Sequence, residues 1–498
     1  MVRDEVQSPA VGRHESREGA PVPDQPRIEH GTDAGDRTFR CESEMPVSKT
    51  EVADWHFRAG ALDRLLPPWQ DVRVIEDSGP LRPGVETVLS VPIAPFVRKR
   101  WRARIEEAVP GERFIDVQVS GPFGAWHHRH EFLEIEGDAS SSRLRDSIAY
   151  RMPMGPLGGL GAGVVRRDLA KMFEYRHYRT AADLRRHADA GDVAPQTVVI
   201  TGASGLIGTQ LTAFLRTGGH VVRHLVRRTP DASAGEYRWD PARGEIDASA
   251  FDGADAVVHL AGAGIADRRW TPERMKVIRD SRVDGTRLIA ETLAAMTTPP
   301  SVFVSASAVG FYGNRSERVD ESAAAGEGFL SDVSVAWEDA ADAARAAGIR
   351  VVHPRIGVVL TPKGGALEKM IPPFKLGAGG PLGSGRQGLS WIGIDDLLGV
   401  LHRVMIDDRY VGPVNATAPE PVDQRTFAKA LGRVLRRPAI APMPGFAAKI
   451  LFGRMAGPLL LEGVEATPTV LADHGFRFET PDLESCLRLL LDGTPPAG

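Results

Sequence analysis

A glycine-rich turn within residues 197–215 constrains the fold of this chain more than any other feature. The segment reads TVVITGASGLIGTQLTAFL: a β-branched run typical of a buried strand, three glycines, and then a helical pattern. In a strand-turn-helix unit of this spacing, Gly202 permits the tight turn, Gly205 lets the backbone approach a pyrophosphate, and Gly208 lets the helix pack closely on the strand. The spacing predicts a dinucleotide-binding turn, the alternative being a turn whose glycines are only structural.

The segments that follow alternate between strands and helices. Strand-like runs occur in HVVRHLVRR, DAVVHLAGA, SVFVSASAV and IRVVHPRIGVVL, with helical runs between them and a hairpin-like insertion around EYRWDPARGEID. Such alternation indicates a parallel sheet covered by helices on both faces. We predict a doubly wound α/β domain of the Rossmann type over residues 196–436 and a small module over residues 437–490 that completes the substrate side.

The ends of the predicted strands supply the candidate cofactor site. The second strand ends in Arg227 and Arg228, where a site for NAD would normally present an acidic residue to the ribose. A guanidinium group suits a 2′-phosphate, so the pattern favours NADP (NADPH); the alternative is two solvated arginines. The predicted cofactor-binding residues are Gly202, Ser204, Gly205, Leu206, Ile207, Gly208, Arg227, Arg228, Leu260, Ala261, Gly262 and Arg355.

The residues that precede this domain have a different composition. Residues 1–37 are rich in Pro, Gly and charged side chains, and burial could not offset the entropy of ordering them, so we expect a disordered tail. Residues 38–190 are predicted to form an α+β domain with one strand, two short helices, a series of antiparallel strands and a long helix through GVVRRDLAKMFEYRHYRTAADLRRH. The run GPLGGLGAG before that helix is interpreted as a flexible turn.

Three histidines, His127, His128 and His130, stand together in the run WHHRHEFLEIEG of the α+β domain. Adjacent residues of a strand point to opposite faces of the sheet. We therefore interpret the three as surface or cavity-lining residues, the alternative being a ligand set, and predict no metal site. Cys41 and Cys486 lie far apart and lack metal-ligand spacing, which argues against a disulfide framework and fits a reducing cytoplasm.

The overall composition argues against two classes of partner. The formal net charge of -4 lacks the basic footprint of a nucleic-acid-binding protein. No apolar run approaches the roughly 20 residues needed to span a bilayer, and the N-terminal residues lack the apolar core of a secretory signal. We expect a cytoplasmic protein with a small-molecule substrate. The pattern indicates neither the identity of that substrate nor the oligomeric state.

Five segments resemble the epimerase-like branch of the extended short-chain dehydrogenase/reductase superfamily, in particular its nucleoside-diphosphate-sugar epimerase-like oxidoreductases: TGASGLIG, HLAGAGIADRRW, SASAVGFYG, PPFKLGAGGPLGSGRQGLSWIGIDDL and GPVNATAPEPV. The resemblance implies an NADP-binding Rossmann domain with the substrate held between it and the C-terminal part. The element order of residues 38–190, with VSGPFGAWHHRHEF, resembles the START-like (SRPBCC) helix-grip fold of polyketide cyclase and dehydrase-like proteins. That resemblance implies an apolar ligand between sheet and helix.

The first resemblance also implies a catalytic Ser, Tyr and Lys, which the chain retains only in part. Ser307 matches the catalytic Ser, but the helix expected to carry Tyr-x-x-x-Lys has Leu330 and Ser334 at those positions. Tyr312 in GFYG is the nearest candidate catalytic residue, the alternative being a packing tyrosine. Without a lysine, its proton transfer would need another activating charge, such as Arg355 or the oxidised nicotinamide.

The C-terminal part offers the candidate substrate-binding residues. Lys375, Arg386 and Gln387 stand among glycines in FKLGAGGPLGSGRQG, where a loop could present them to an anionic or hydroxylated substrate; ordinary solvated loop residues are the alternative. Asp395 and Asp396 in WIGIDDL are expected to cap the helix that follows.

Three functions are compatible with these sequence features. The first is an NADP-dependent oxidoreductase or epimerase-like enzyme acting on an unidentified small molecule, with an N-terminal domain that binds an apolar ligand. The second is a non-catalytic NADP(H)-binding regulatory protein, which the missing Tyr-x-x-x-Lys pair favours. The third is a sugar-nucleotide epimerase, which the same missing pair disfavours.

Overall fold

The computed structural model describes residues 26–33, 36–77, 79–94, 96–153, 161–191 and 193–496. Within these ranges the chain forms two large sheets, one antiparallel and one mostly parallel, each packed against helices. None of the helices in the same ranges is long and apolar enough to cross a membrane.

The N-terminal part is an α+β domain. Its elements are β1 (Arg27–Asp33), β2 (Asp36–Met45), α1 (Lys49–Phe57), α2 (Ala61–Leu65), β3 (Arg73–Asp77), β4 (Glu86–Ala94), β5 (Val97–Val109), β6 (Arg113–Ser120), β7 (Ala125–Ile135), β8 (Asp138–Arg151) and α3 (Ala162–Ala188). The strands form one antiparallel sheet in the order β1-β2-β8-β7-β6-β5-β4-β3. From β2 onwards, the elements follow the order predicted from the sequence.

One boundary differs from the prediction. The expected disordered tail, residues 1–37, includes β1, which pairs with β2 from Arg27 opposite Glu42 to Asp33 opposite Asp36. The side chains of this edge strand are exposed apart from Ile28, so its stability comes from backbone hydrogen bonds that composition does not reveal. Residues 1–25, 34 and 35 of that tail, and residues 155–160 of the predicted turn, lie outside the described residues.

The inner face of this sheet packs against α3 and α1. Alternate residues of β7 and β8 point inward, so Trp126, Phe132 and Ile148 are buried, and α3 adds Leu169 and Phe173. At roughly 1.5–3 kcal/mol for each large apolar side chain fully removed from water, these contacts are a main source of the domain's stability.

The second sheet belongs to a doubly wound domain. Its elements are β9 (Thr197–Thr201), α4 (Leu206–Thr217), β10 (Val221–Val226), β11 (Glu236–Asp240), β12 (Glu245–Ile246), β13 (Ala256–His259), α5 (Pro272–Ala294), β14 (Val302–Ser305), β15 (Ser307–Ala308), β16 (Arg318–Val319), α6 (Phe329–Asp339), α7 (Asp342–Ala346), β17 (Arg350–Ile356), β18 (Val358–Leu360), α8 (Gly365–Lys375), β19 (Gly388–Leu389), β20 (Trp391–Gly393), α9 (Ile394–Ile406), β21 (Gly412–Ala416), β22 (Val422–Asp423) and α10 (Gln424–Val434).

Parallel pairing joins the main strands in the order β11-β10-β9-β13-β14-β17-β21. The chain adds strands first on one side of β9 and then on the other, so the crevice at the carboxyl ends of β9 and β13 is the topological switch point at which ligands bind in such sheets. The predicted alternation of strands and helices is confirmed, and the predicted hairpin is the antiparallel pair β11–β12.

The C-terminal residues are joined to the doubly wound domain by pairing and packing. They form α11 (Gly445–Phe452), β23 (Glu465–Ala466), α12 (Thr469–Asp473) and α13 (Leu483–Asp492). Strand β23 pairs with β16 in parallel, and Leu487 of α13 shares a buried cluster with Phe427 and Leu431 of α10.

Candidate functional site

The glycine turn between β9 and α4 has the geometry that its sequence predicts. Gly202 has a φ of +71°, and a Cβ atom at this position would lie 2.9 Å from the backbone nitrogen of Ala261. A Cβ atom at Gly208 would lie 2.8 Å from the Cα of Ala203 and closer still to the carbonyl oxygen of Gly202. Only glycine fits at these two positions without moving the backbone of the turn.

The N-terminus of α4 faces the switch point with free hydrogen-bond donors. Its N-cap residue is Gly205, which has no side-chain oxygen with which to cap the first turn. The N–H groups of Leu206 and Ile207 and the positive end of the helix dipole therefore suit a phosphate group. The predicted cofactor residues Ser204 to Gly208 thus lie together at the start of this helix.

Arg227 and Arg228 follow directly after β10, on the same edge of the sheet as the glycine turn. Both are exposed, and Arg228 pairs with Glu236 and donates a 3.1 Å hydrogen bond to the carbonyl oxygen of Thr229. The Arg228 side chain is 65% exposed, although the side chain of its partner Glu236 is only 8% exposed, so part of the guanidinium group faces solvent. An anionic ligand at this edge would meet two cationic side chains.

The segment after β13 forms the other side of the crevice. The backbone N–H groups of Leu260 and Ala261 each donate a 3.2 Å hydrogen bond to the hydroxyl of Thr201, the last residue of β9. Gly262 comes next and is exposed. These contacts hold the predicted residues 260–262 against the end of β9, beside the glycine turn.

Five polar side chains form one network at the ends of β15, β17 and β21. The hydroxyl of Ser307 donates to Glu338 at 2.6 Å, and Arg355 donates two hydrogen bonds of 2.9 Å to the Glu338 carboxylate. Arg355 also donates to the Tyr312 hydroxyl at 3.0 Å, which donates to the side chain of Asn415 at 2.7 Å. Although burial opposes its ionisation, Arg355 holds the pKa of Glu338 below its usual value.

The network places the two candidate catalytic residues differently. Tyr312 is fully buried, and burial raises its pKa despite the guanidinium of Arg355, so its hydroxyl is held protonated between two partners. Ser307 is also buried, at 2% exposure, and its hydroxyl proton points to a carboxylate. Arg355, predicted to bind the cofactor, lies inside the same network, with its guanidinium carbon 3.4 Å from the centre of the Phe311 ring.

The predicted substrate residues lie in and around the segment between α8 and β19. Lys375 and Arg386 are exposed, which fits both substrate-binding residues and ordinary solvated loop residues. Gln387 is half-buried, and its side-chain amide donates to the carbonyl oxygens of Leu382 and Leu460 at 3.1 and 2.7 Å. Its amide group therefore ties two loops together.

The predicted helix caps Asp395 and Asp396 are wrong. Helix α9 begins at Ile394 with Gly393 as its N-cap, so the two carboxylates fall in the first turn. Asp395 instead accepts from Arg64 of α2 at 2.7 Å and pairs with Arg179 of α3 at 2.9 Å. The local sequence predicted that Asp395 would cap backbone N–H groups of α9, but its carboxylate instead binds arginines of the N-terminal domain.

A cavity of about 370 Å³ lies where the N-terminal domain meets the glycine turn. Its lining includes Arg64 and Tyr175 from the N-terminal domain and Ser204 from the turn. Lys363, which also lines it, donates to the carbonyl oxygen of Leu66 at 3.3 Å, and burial lowers the pKa of this lysine. The N-terminal domain thus meets the doubly wound domain directly beside the glycine turn.

Three residues at these sites carry no signal in the sequence. A single glutamate has no pattern that marks Glu338 as the partner of Ser307 and Arg355. Arg64 and Arg179 carry none either, since Asp395, a partner that both share, lies in another domain.

A glycine turn and an uncapped helix N-terminus at the switch point of a doubly wound sheet define a dinucleotide-binding α/β protein. The NAD dependent epimerase/dehydratase family model matches residues 198–413, and a domain of unknown function, DUF1731, matches residues 443–490. An epimerase family protein of Mycobacterium bovis is 43% identical over 287 residues, which are 57% of this chain and 94% of the relative. The chain belongs to this epimerase family and is an NAD(P)-dependent member of it.

Two solved structures extend the similarity. The nucleoside-diphosphate sugar epimerase from Corynebacterium glutamicum matches with a TM-score of 0.74 and 33% identity, over 92% of this chain and 90% of that one. The human epimerase family protein SDR39U1, solved with NADPH, matches with a TM-score of 0.54 and 33% identity, over 60% of this chain and all of that one. Because the first match covers 92% of this chain, it includes residues of the N-terminal domain as well as the doubly wound domain.

Proposed function

We propose that the protein is an NADP-dependent oxidoreductase or epimerase-like enzyme that acts on a small molecule. The observation that carries the cofactor preference is the pair Arg227 and Arg228, exposed at the carboxyl end of β10 beside the uncapped α4. A guanidinium pairs well with a phosphate, whereas an acidic residue here would serve the free hydroxyl of NAD. The NADPH held by the human relative supports this choice.

The chain's own residues divide into binding and positioning groups. The turn from Ser204 to Gly208 would hold the pyrophosphate, and bound NADP would supply or take the hydride. Ser307 is the proposed catalytic residue, because rotation of its hydroxyl away from Glu338 would let it donate to a substrate oxygen. Tyr312, buried between Arg355 and Asn415, is proposed as a positioning residue that fixes the loop after β15.

The substrate is proposed to lie between the doubly wound domain and the C-terminal residues. Lys375 and Arg386 are exposed at the end of α8 and in the segment that follows it, and would attract an anionic or hydroxylated molecule. Gln387 would act indirectly, since its amide holds two loop carbonyls.

Calorimetric titration of the full chain with NADPH and NADH tests the cofactor proposal. We expect NADPH to bind more tightly, and the double variant Arg227→Ala/Arg228→Ala to lose that preference while keeping its circular dichroism spectrum. Its unfolding temperature should fall, because Glu236 loses an ion-pair partner. Arg243→Ala, another exposed arginine, is the matched control. Equal affinity for both nucleotides in the unmodified chain, or a preference that survives in the double variant, would reject the assignment of NADP.

A second candidate function is a non-catalytic NADP(H)-binding regulator. The observation that favours it is the complete burial of Tyr312, the nearest replacement for the missing catalytic tyrosine. A screen of carbonyl and alcohol substrates, monitored by nicotinamide absorbance, separates the two. Turnover that Ser307→Ala abolishes and Ser305→Ala preserves would exclude the regulator.

A sugar-nucleotide epimerase is the more specific version of the first proposal. The name of the Corynebacterium glutamicum structure supports it. Epimerisation of a sugar nucleotide with no net consumption of NADP is the result that would establish this activity.

The N-terminal domain is proposed to be a START-like helix-grip domain that presents a small molecule to the reductase or senses it. The antiparallel sheet packed on the long α3 supports this, and so does its contact with the glycine turn. The space between the sheet and α3 holds aromatic side chains and a cluster of polar groups, so an apolar ligand would need room beside them. A fluorescent fatty-acid probe that the full chain fails to bind would reject the apolar ligand.

A further inference from the structure

A cluster of buried histidines and carboxylates lies inside the N-terminal domain, on the face of the sheet that meets α3. Asp116 comes from β6, His128 and His130 from β7, and Asp146 from β8. His128, His130 and Asp146 are each at least 91% buried. The cluster is separate from the dinucleotide site, whose residues all follow Thr197.

Strand register brings these side chains together. Asp116 lies opposite His128 across β6 and β7, and His130 lies opposite Asp146 across β7 and β8. His128 and His130 are two residues apart in one strand, so they point to the same face of the sheet. His127 points to the other face, where its side chain is 48% exposed.

Three of the side chains present donor atoms to one point. One donor atom each from Asp116, His128 and His130 lies within 4.8 Å of the other two. Among the residues that the structure describes, this is the one group of three His, Cys, Asp or Glu side chains with the spacing of a metal site. Asp116 Oδ2 is 3.0 Å from His128 Nδ1 and 3.6 Å from His130 Nε2. Two imidazole nitrogens and a carboxylate oxygen are ligands that zinc and related divalent cations prefer.

The fourth side chain stands behind the two imidazoles. Asp146 Oδ1 is 3.0 Å from His128 Nε2 and 2.6 Å from His130 Nδ1, which are the ring nitrogens turned away from Asp116. Its other oxygen accepts from His177 Nε2 of α3 at 2.7 Å. A carboxylate that holds the far nitrogen of each histidine is the usual second layer of a metal site, since it fixes the tautomer and the ring orientation.

The charges around the two imidazoles also suit a cation. The ring centre of His130 lies 3.8 Å from that of His128, and two carboxylates lie beside the pair. A divalent cation would balance the two negative charges and allow both imidazoles to stay neutral.

We infer that Asp116, His128 and His130 bind one divalent transition-metal cation of the zinc class inside the N-terminal domain, with Asp146 orienting the two imidazoles. The site has three protein ligands, so a fourth position is free for water or a small anionic ligand. The Asp116 side chain is 18% exposed and gives the ion a route from solvent. This departs from the sequence analysis, which favoured cavity-lining histidines and no metal.

The test measures the metal content of the full chain, purified without a histidine tag and dialysed. We expect one equivalent of Zn²⁺ by mass spectrometry, or one equivalent taken up after chelation and readdition of Zn²⁺. Asp116→Asn, which keeps the side-chain shape, and His130→Gln should lose that equivalent. Asp146→Asn should weaken Zn²⁺ binding by about 10- to 100-fold, and the exposed neighbour His127→Gln should bind as the unmodified chain does.

A spectroscopic measurement covers the case in which the buried variants fail to fold. Co²⁺ added to the chelated full chain should give visible bands of a low-coordinate site, and X-ray absorption of the zinc form should show two imidazoles at about 2.0–2.1 Å. An unmodified chain that takes up no Zn²⁺ or Co²⁺, spectra without imidazole ligands, or folded Asp116→Asn protein with full affinity would each overturn the proposal.

Discussion

Single atoms decide whether the glycine turn can hold a dinucleotide. A methyl group at Gly208 would meet the backbone of Gly202 and Ala203, so we expect Gly208→Ala to destabilise the fold by about 1–3 kcal/mol and to abolish NADPH binding. Gly163→Ala is the control, because a Cβ atom there meets nothing within 4 Å. Urea unfolding and calorimetry measure both effects. Normal NADPH affinity in Gly208→Ala would contradict the described turn.

Removal of the Tyr312 hydroxyl should lower the stability of the protein by a measurable amount. Tyr312→Phe leaves the side-chain oxygen of Asn415 and one N–H of Arg355 buried without this partner. An unsatisfied buried group costs about 1–3 kcal/mol, so the free energy of unfolding should fall by that amount. NADPH affinity should not change, because Asn415 and Arg355, the two hydrogen-bond partners of this hydroxyl, lie outside the glycine turn. Tyr237→Phe, at a half-buried tyrosine of β11, is the matched control.

At the scale of elements, three arginines of another domain hold α9: Arg64 and Arg179 pair with Asp395, and Arg186 pairs with Asp396. Arg64 is 97% buried and contacts both Asp183 and Asp395, and burial opposes the ionisation of Asp395 while Arg179 and Arg64 hold its pKa below the usual value. Removing one partner of a buried ion pair leaves an unpaired charge, so Arg64→Ala should cost about 3–5 kcal/mol.

A double-mutant cycle isolates the contact between α2 and α9. Asp395→Ala alone should also be destabilising, and the double variant should lose less than the sum of the two, by about 0.5–3 kcal/mol. The exposed pair Arg433–Glu484 is the control, with an expected coupling of about 1 kcal/mol or less. Additive effects of Arg64→Ala and Asp395→Ala would show that their contact does not stabilise the protein.

The sequence predicted those features whose signal lies within a short stretch of the chain, and it missed those that depend on distant residues. Strands and helices were predictable because their periodicity is local, as in β9, α4 and the long α3. The role of Asp395 was not, because an aspartate at a helix start has the same local pattern whether it caps the helix or pairs with a distant arginine. The alternation within β7 would have placed His128 and His130 on one face, but Asp116 and Asp146 join them only through strand register.

At the scale of the whole molecule, neutral histidines lie between the two domains. His187 of α3 stacks on Phe214 of α4 with ring centres 4.4 Å apart. The ring centre of His402 in α9 lies 5.7 Å from that of His187 and 5.4 Å from that of His220. Burial lowers the pKa of His187 to about 3 and the pKa values of His402 and His220 below their usual value. The packed interface therefore requires uncharged imidazoles.

Acid should therefore weaken the contact between the domains. Since the unfolded chain binds a proton at His187 near pH 6.5 and the folded chain does not, its stabilising contribution is complete above about pH 6.5 and falls by about 1.4 kcal/mol per pH unit below it. His187→Leu should remove this part of the slope between about pH 6.5 and 5. Urea unfolding at several pH values measures the slope. The comparison at about pH 8, where the imidazole is neutral in both states, separates it from packing. An unchanged slope in His187→Leu would mean that the imidazole becomes charged without opening the interface.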